Sequence, residues 1–209
     1  AADAGSGGKG PAAAWRGRRV LELGCGCGLL AVALARWGVN EHPSRGLERR
    51  PVLAARANAA RNLAEPGRMQ LRSLDWNDPV ACAKLREEFG PFDAIIISDG
   101  ILALPPSGPM WHVAEDAKAL ASPPGPLLDA TRALGAGGAD IVLAVAERAG
   151  DVAETARALL DRRRWLELVS LPQDLVVADG STAVTVFRFR WRSEAGAGGE
   201  NARKLWGAA

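Results

Sequence analysis

Tyrosine is missing altogether from these 209 residues, and histidine occurs only twice, at His42 and His112. Mechanisms that depend on a phenol or an imidazole relay have almost no material to work with. Three cysteines, Cys25, Cys27 and Cys82, cannot build a disulfide framework and point to a reducing compartment. No apolar run reaches the ~18 residues that a membrane-crossing helix needs. The formal charge is +2, from 26 Lys+Arg against 24 Asp+Glu, and as a total it makes no case for nucleic acid or an anionic membrane.

With 48% hydrophobic and 24% charged residues, the chain suits a single globular domain with a substantial core. Residues 1–17 open on AADAGSGGKGPAAA and residues 193–209 read SEAGAGGENARKLWGAA. Both stretches have the composition of flexible termini flanking a domain at 18–192. The start lacks the apolar stretch of a signal peptide, although a targeting segment upstream of Ala1 would be compatible with it. The expectation is a cytoplasmic monomer, with the nucleus as the alternative.

Between the ends, strand-like and helix-like stretches alternate. RVLEL (19–23) is a short strand, and LLAVALARW (29–37), apolar nearly all round and ending at Gly38, reads as a buried helix. Pro51 suits the first position of a helix through VLAARANAARNL. MQLRSL (69–74) is a strand, 79–89 a helix, and FDAIIIS (92–98) a β-branched run of the kind buried on both sides in a parallel sheet. Residues 127–134 and 151–163 are helical, with ADIVLAVA (139–146) a further strand between them. WLELV (165–169) and VTVFRFRWR (184–192) follow, the second alternating Phe187, Phe189 and Trp191 with Arg188, Arg190 and Arg192. This order predicts an α/β fold: a Rossmann-like, doubly wound, seven-stranded sheet, mostly parallel, closed by an antiparallel C-terminal hairpin. The second strand falls in the unusually polar VNEHPSR (39–45).

The most informative segment is Glu22-Leu23-Gly24-Cys25-Gly26-Cys27-Gly28, between the first strand and the helix. Alternate glycines strip Cβ atoms from the turn so that a ligand can approach the backbone, and the helix start offers free N–H groups. Glu48, 20 residues beyond Gly28, has the chemistry to accept both hydroxyl protons of a ribose. The less favoured alternative is one solvated charge of an ERR run.

The acid-x-Gly-x-Gly-x-Gly form resembles the S-adenosylmethionine motif of Rossmann-like methyltransferases. VLELGCGCGLLAVALARWG, PVLAARANAARN, LRSLDWNDP, FDAIIISDGIL and VFRFRWR together resemble successive blocks of methyltransferase family 16, which includes many protein lysine methyltransferases. The resemblance covers about 18–192. It implies that Glu22, Gly24, Gly26 and Gly28 line the methionine end of the cofactor and that Glu48 holds its ribose. Asp75 and Trp76 would meet the adenine, although Trp76 also suits ordinary core packing. Ser98 would border the cofactor, and Asp99 would orient the acceptor amine as the catalytic residue. The partner implied is a protein lysine, with neither membrane nor nucleic acid. Family members carry Asp-x-x-Tyr at Asp99; here Leu102 stands at the tyrosine position. That departure, with the short start, keeps open a methyltransferase-like domain that binds cofactor without turnover; a small-molecule methyltransferase is the other alternative.

Other readings fare worse. No Asn-Pro-Pro-Tyr follows the fourth strand, Cys82 follows alanine rather than proline, and Asp99 lacks a metal-ligating partner set. An NAD-dependent oxidoreductase shares the ribose acid, but the glycine spacing, Glu22 and the terminal hairpin disfavour it. Methyl transfer mainly needs alignment and exclusion of water, consistent with so little His and Tyr. A lysine must be neutral to react, so apolar burial near Leu102 and Trp111 has to oppose the Asp99 carboxylate, which favours the cation. Cys25 and Cys27 read as loop fillers, Cys82 as helix core and 162–164 as a solvated helix end. His42 and His112 read as loop residues, with His112 next to Trp111 on the substrate side. Glu147-Arg148 fits either a salt bridge or a substrate contact.

Overall fold

In the computed structural model, the described residues are 13, 15–39, 42–46, 49–98, 124–146, 151–176 and 183–192; at 42–46, 49–51, 68 and 176 only the backbone is described. Glu48, Asp99, Leu102, Trp111, His112, Glu147 and Arg148, together with residues 1–12, 14 and 193–209, lie outside them. The elements are β1 (Val20–Leu23), α1 (Leu29–Arg36), β2 (His42–Gly46), α2 (Arg49–Asn62), β3 (Met69–Ser73), α3 (Pro79–Phe89), β4 (Phe92–Ser98), α4 (Pro124–Leu134), β5 (Gly135–Ala146), α5 (Asp151–Asp161), β6 (Leu166–Val176) and β7 (Ala183–Trp191).

The strands form one mixed sheet of seven in the order β3-β2-β1-β4-β5-β7-β6. β1 pairs in parallel with β2 and β4, β2 with β3, and β4 with β5, whereas β7 runs antiparallel to both β5 and β6. Strand β1 is buried throughout and Ile95, Ile96 and Ile97 of β4 are buried, as expected of parallel strands covered on both sides. Alternation divides them between two cores. Val20, Ala94 and Ile96 pack with Leu34 of α1, while Leu21, Leu23, Ile95 and Ile97 join a larger core with α3, α4 and α5. In β7, Phe187, Phe189 and Trp191 are buried and Arg188 and Arg190 are exposed or partly exposed. The rings of Phe189 and Trp191 meet edge to face at 5.9 Å, and the indole N–H donates to Thr131 Oγ1 at 3.0 Å.

Local chemistry accounts for the clear helix starts and for the departures. Asp78 Oδ1 accepts from the Val80 N–H at 2.9 Å, and Pro79 takes the first turn of α3. Helix α2 begins at Arg49, so Pro51 is its third residue rather than its first; the proline lacks an N–H wherever it sits in the first turn, and that turn needs none there. Helix α1 is not buried all round: Leu29 is 79% exposed and Trp37, just beyond the helix, 36%, because only the stripe through Ala31, Leu34 and Ala35 faces the sheet. Arg162 is no solvated end. It forms an ion pair with Asp129 at 3.0 Å and donates to Gly125 O, tying α5 to α4. No helix among the described residues is long and apolar enough to cross a membrane.

Candidate cofactor site

The order of the strands reverses between β1 and β4, since β2 and β3 lie on one side and β5 on the other. A crevice opens at such a switch point beyond the carboxyl ends of the strands. The pairing of Leu23 with Ile97 brings Gly24 and Ser98 out of the sheet side by side at that crevice. Ser98 is exposed there. Glu22 is one residue back on β1, 2% exposed, on the face that carries α1, and stands opposite Ser44 of β2 and Ile96 of β4.

All three glycines of the turn have positive φ: 80° at Gly24, 48° at Gly26 and 82° at Gly28. Their freedoms serve different ends. A Cβ on Gly26 would meet nothing within 4 Å, leaving open space for a ligand against the backbone. A Cβ on Gly28 would lie 2.8 Å from the Ala55 Cβ, so on that side the missing side chain admits helix α2. Sequence reasoning read the three as one bare ligand-facing surface; the Ala55-centred small-residue face of α2 was the available signal for the third. Gly28 also caps α1 without a side-chain bond, leaving the first N–H groups of that helix to a ligand or water.

The cysteines of the turn also differ. Cys25 is buried, and burial, followed by the Glu22 charge, pushes its thiol up to about 11. Cys27 is exposed, and its carbonyl accepts from Asn58 Nδ2 at 2.9 Å, a second tie between the turn and α2. Among the described residues no group of His, Cys, Asp or Glu could hold a metal ion.

Beyond β3, Asp75 is exposed, and its Oδ1 accepts from both the backbone N–H and the Nδ2 of Asn77 at 2.9 Å. Its other oxygen makes no hydrogen bond within the described residues. Trp76 departs from the expected adenine wall. Its indole is 7% exposed and belongs to the main core with Cys82, Leu85 and Phe92, because the Asp75–Asp78 turn rolls it beneath α3. Glu22, Gly24, Gly26 and Ser98 are therefore gathered at one crevice, Gly28 supports it from behind, and Asp75 lies two strands away along the same sheet edge.

A family model described as ribosomal protein L11 methyltransferase (PrmA) matches residues 12–126, more than half of the chain. The chain belongs to that family. The match places it among S-adenosylmethionine methyltransferases at large and does not single out family 16. No curated protein matches it closely. Solved structures share the fold of this PrmA-family chain at low identity. TrmN from Thermus thermophilus is 20% identical with a TM-score of 0.57, over 84% of this chain and 44% of its own. Magnesium protoporphyrin IX methyltransferase from Synechocystis, with bound SAM, is 18% identical with a TM-score of 0.56, over 84% and 71%. Ribosomal protein L11 methylase from Lactobacillus delbrueckii is 16% identical with a TM-score of 0.51, over 83% and 69%. The PrmA-family chain thus spans under half the length of TrmN. Its cofactor is S-adenosylmethionine, and the open backbone at Gly26 and the buried Glu22 carboxylate suit that molecule's carboxylate and ammonium ends.

Proposed function

We propose that this chain is a methyltransferase domain that N-methylates a protein lysine side chain. The observation that carries the reading is the Glu22–Gly28 turn at the switch point between β1 and β4. Two further features support it: the family's description names a protein substrate, and the LDWND and strand–Ser-Asp blocks resemble family 16. When bound, S-adenosylmethionine supplies an electrophilic methyl group on a sulfonium. The roles of the protein are to hold, align and exclude water. Gly24 and Gly26 let the backbone approach the methionine end, Glu22 accepts from its ammonium, and Glu48 takes the ribose. Asp75 accepts from the adenine amino group, and Ser98 borders the crevice. Asp99, next in sequence after Ser98, orients the acceptor amine by a charge-assisted hydrogen bond.

Two measurements test this: calorimetry with S-adenosylhomocysteine and with NAD, and transfer of labelled methyl to proteins of a cell lysate. Tight binding of the first ligand alone, with label on lysine, is the expected result. No affinity for S-adenosylhomocysteine in folded protein would overturn the reading. Leu102, at the position of the family tyrosine, favours a second reading, a domain that binds cofactor without turnover; binding without any labelled product would select it. A pH–rate profile unchanged by Asp99→Asn would remove Asp99 from the mechanism.

A further inference from the structure

The net charge of +2 conceals a strong asymmetry. Residues 36–72 hold eight arginines against three acids, a surplus of five, and the rest of the chain carries a deficit of three. Helix α2 contributes four of those arginines and no acid. Elsewhere some arginines meet carboxylates, as Arg18 and Arg190 do at Asp140 and Arg162 does at Asp129, and others end on carbonyls, as Arg19 and Arg86 do. On this edge, among the described residues, the hydrogen bonds of Arg36, Arg56 and Arg72 end on backbone carbonyls and none of the three meets a carboxylate. Arg36 donates to Asn62 O through Nε and Nη2, while Arg56 and Arg72 converge on the single oxygen of Leu71 at 3.3 and 3.1 Å. Arg36, Arg56, Arg61 and Arg72 are all exposed, and the acid of this stretch among the described residues, Glu65, lies in the turn after α2.

Arg56 and Arg72 meet at Leu71 on the edge strand, where the Arg72 guanidinium also lies 6.0 Å from the Phe89 ring. β3 is the edge strand, α2 packs beside it, and α1 lies beyond α2. Arg56 and Arg72 flank a cavity of about 350 Å³ on the β3 side. On the α1 side, a second cavity of about 530 Å³ is lined by Leu29, Val32, Trp37, Asn58 and Asn62, with Arg36 beside the indole. Helix α2, with 14 residues, is about 21 Å long at 1.5 Å per residue, long enough to span several phosphates.

We propose that the α1–α2–β3 edge binds single-stranded RNA, with Arg56, Arg61 and Arg72 tracking the phosphodiester backbone and Trp37 stacking a base. The arginines supply charge for a phosphodiester backbone and the exposed indole supplies a flat face on which a base can stack, and this pairing favours a nucleic acid strand. The proposal goes beyond methyl transfer and does not depend on it.

The test is fluorescence anisotropy of a labelled single-stranded RNA of mixed sequence, titrated with the full chain over a range of salt concentrations. Binding should weaken as salt rises, and Arg56→Gln with Arg72→Gln should flatten the log–log salt slope by about 1.4. Arg61→Gln, on the outer face of α2, should flatten it by about 0.7. Trp37→Ala should weaken binding roughly 5- to 150-fold at an unchanged slope, which separates stacking from charge. Arg157→Gln on α5, an equal loss of charge elsewhere, should change neither. Absence of RNA binding at low salt by protein with a native circular dichroism spectrum overturns the proposal. So does an Arg157→Gln effect equal to that of Arg61→Gln, or binding of polyglutamate or anionic vesicles as tight as that of RNA.

Discussion

The two ends of the parallel sheet are built on opposite principles. At the amino end, side chains stitch the strands together. Asp140 on β5 accepts from Arg18 at 2.9 Å and from Arg190 at 2.7 Å, Arg18 also donates to Asp93 O, and the Asp93 carboxylate accepts from the Arg19 N–H. Arg19 reaches Phe89 O and Gly90 O, and Arg86 reaches Ala133 O and Gly135 O, so guanidiniums satisfy carbonyls where α3 and α4 end. At the carboxyl end around β1 and β4, no such lattice occurs among the described residues. Backbone of positive φ, one buried carboxylate and a helix start without a side-chain cap are found there instead. Among the described residues, the side-chain lattice that stabilises the fold is concentrated away from the crevice.

Substitutions can sharpen or break that contrast. The largest effect is expected at Gly28→Ala, where left-handed backbone and the contact with Ala55 combine. Strain of about 1–2 kcal/mol and overpacking of about 1–3 kcal/mol should lower unfolding stability by roughly 2–5 kcal/mol, read as a shift of the denaturant midpoint. Adding Ala55→Gly should recover only the overpacking part, and full recovery would show that the conformation of Gly28 is unstrained.

Glu22→Gln should weaken S-adenosylhomocysteine by about 10- to 100-fold in calorimetry, about 1.4–2.8 kcal/mol, with little change in midpoint. An equal effect on stability and affinity would erase the division of labour between the two ends.

Asp140→Asn is the converse, costing about 1–2 kcal/mol of stability and nothing in cofactor affinity. Burial raises this carboxyl, but the hydrogen bonds and charges of Arg18 and Arg190 outweigh it and hold it below its usual value. A depressed folded value contributes stability above the unfolded one and loses it as pH falls, so Asp140→Asn should flatten the acid limb of the stability curve.

The smallest effect concerns Cys25. Its raised thiol contributes fully below the ordinary value of 9.0, and that contribution is lost as pH rises toward about 11. Denaturant midpoints measured across that window should fall, and Cys25→Ala should lessen the fall. In thiol mapping of the native protein, exposed Cys27 should react before Cys25 and Cys82.

Much of this was legible in the sequence because it is local. The isoleucine run of β4, the Asp78-Pro79 start of α3 and the alternation in β7 each carry their own period or cap. The turn at Glu22–Gly28 was visible because glycine spacing is a covalent pattern. Two features could not be read this way because they depend on what packs across the chain. Trp76, next to polar neighbours in sequence, is carried under α3 by a turn, and Leu29 continues an apolar run yet faces outward. The charge total hides the arginine-rich stretch for a related reason: it adds residues that the fold keeps on different edges.

Sequence alone determined the α/β order, the mixed sheet, the glycine turn and the cofactor class, since each rests on near-neighbour backbone preferences or on a motif of fixed spacing. Tertiary structure decided which glycine has open space beside it and which lies against a helix, that Trp76 belongs to the core, and that Arg56 of α2 and Arg72 of β3 meet at one edge. Those outcomes depend on contacts between segments far apart in the chain, and only the packed sheet and its helices bring them together.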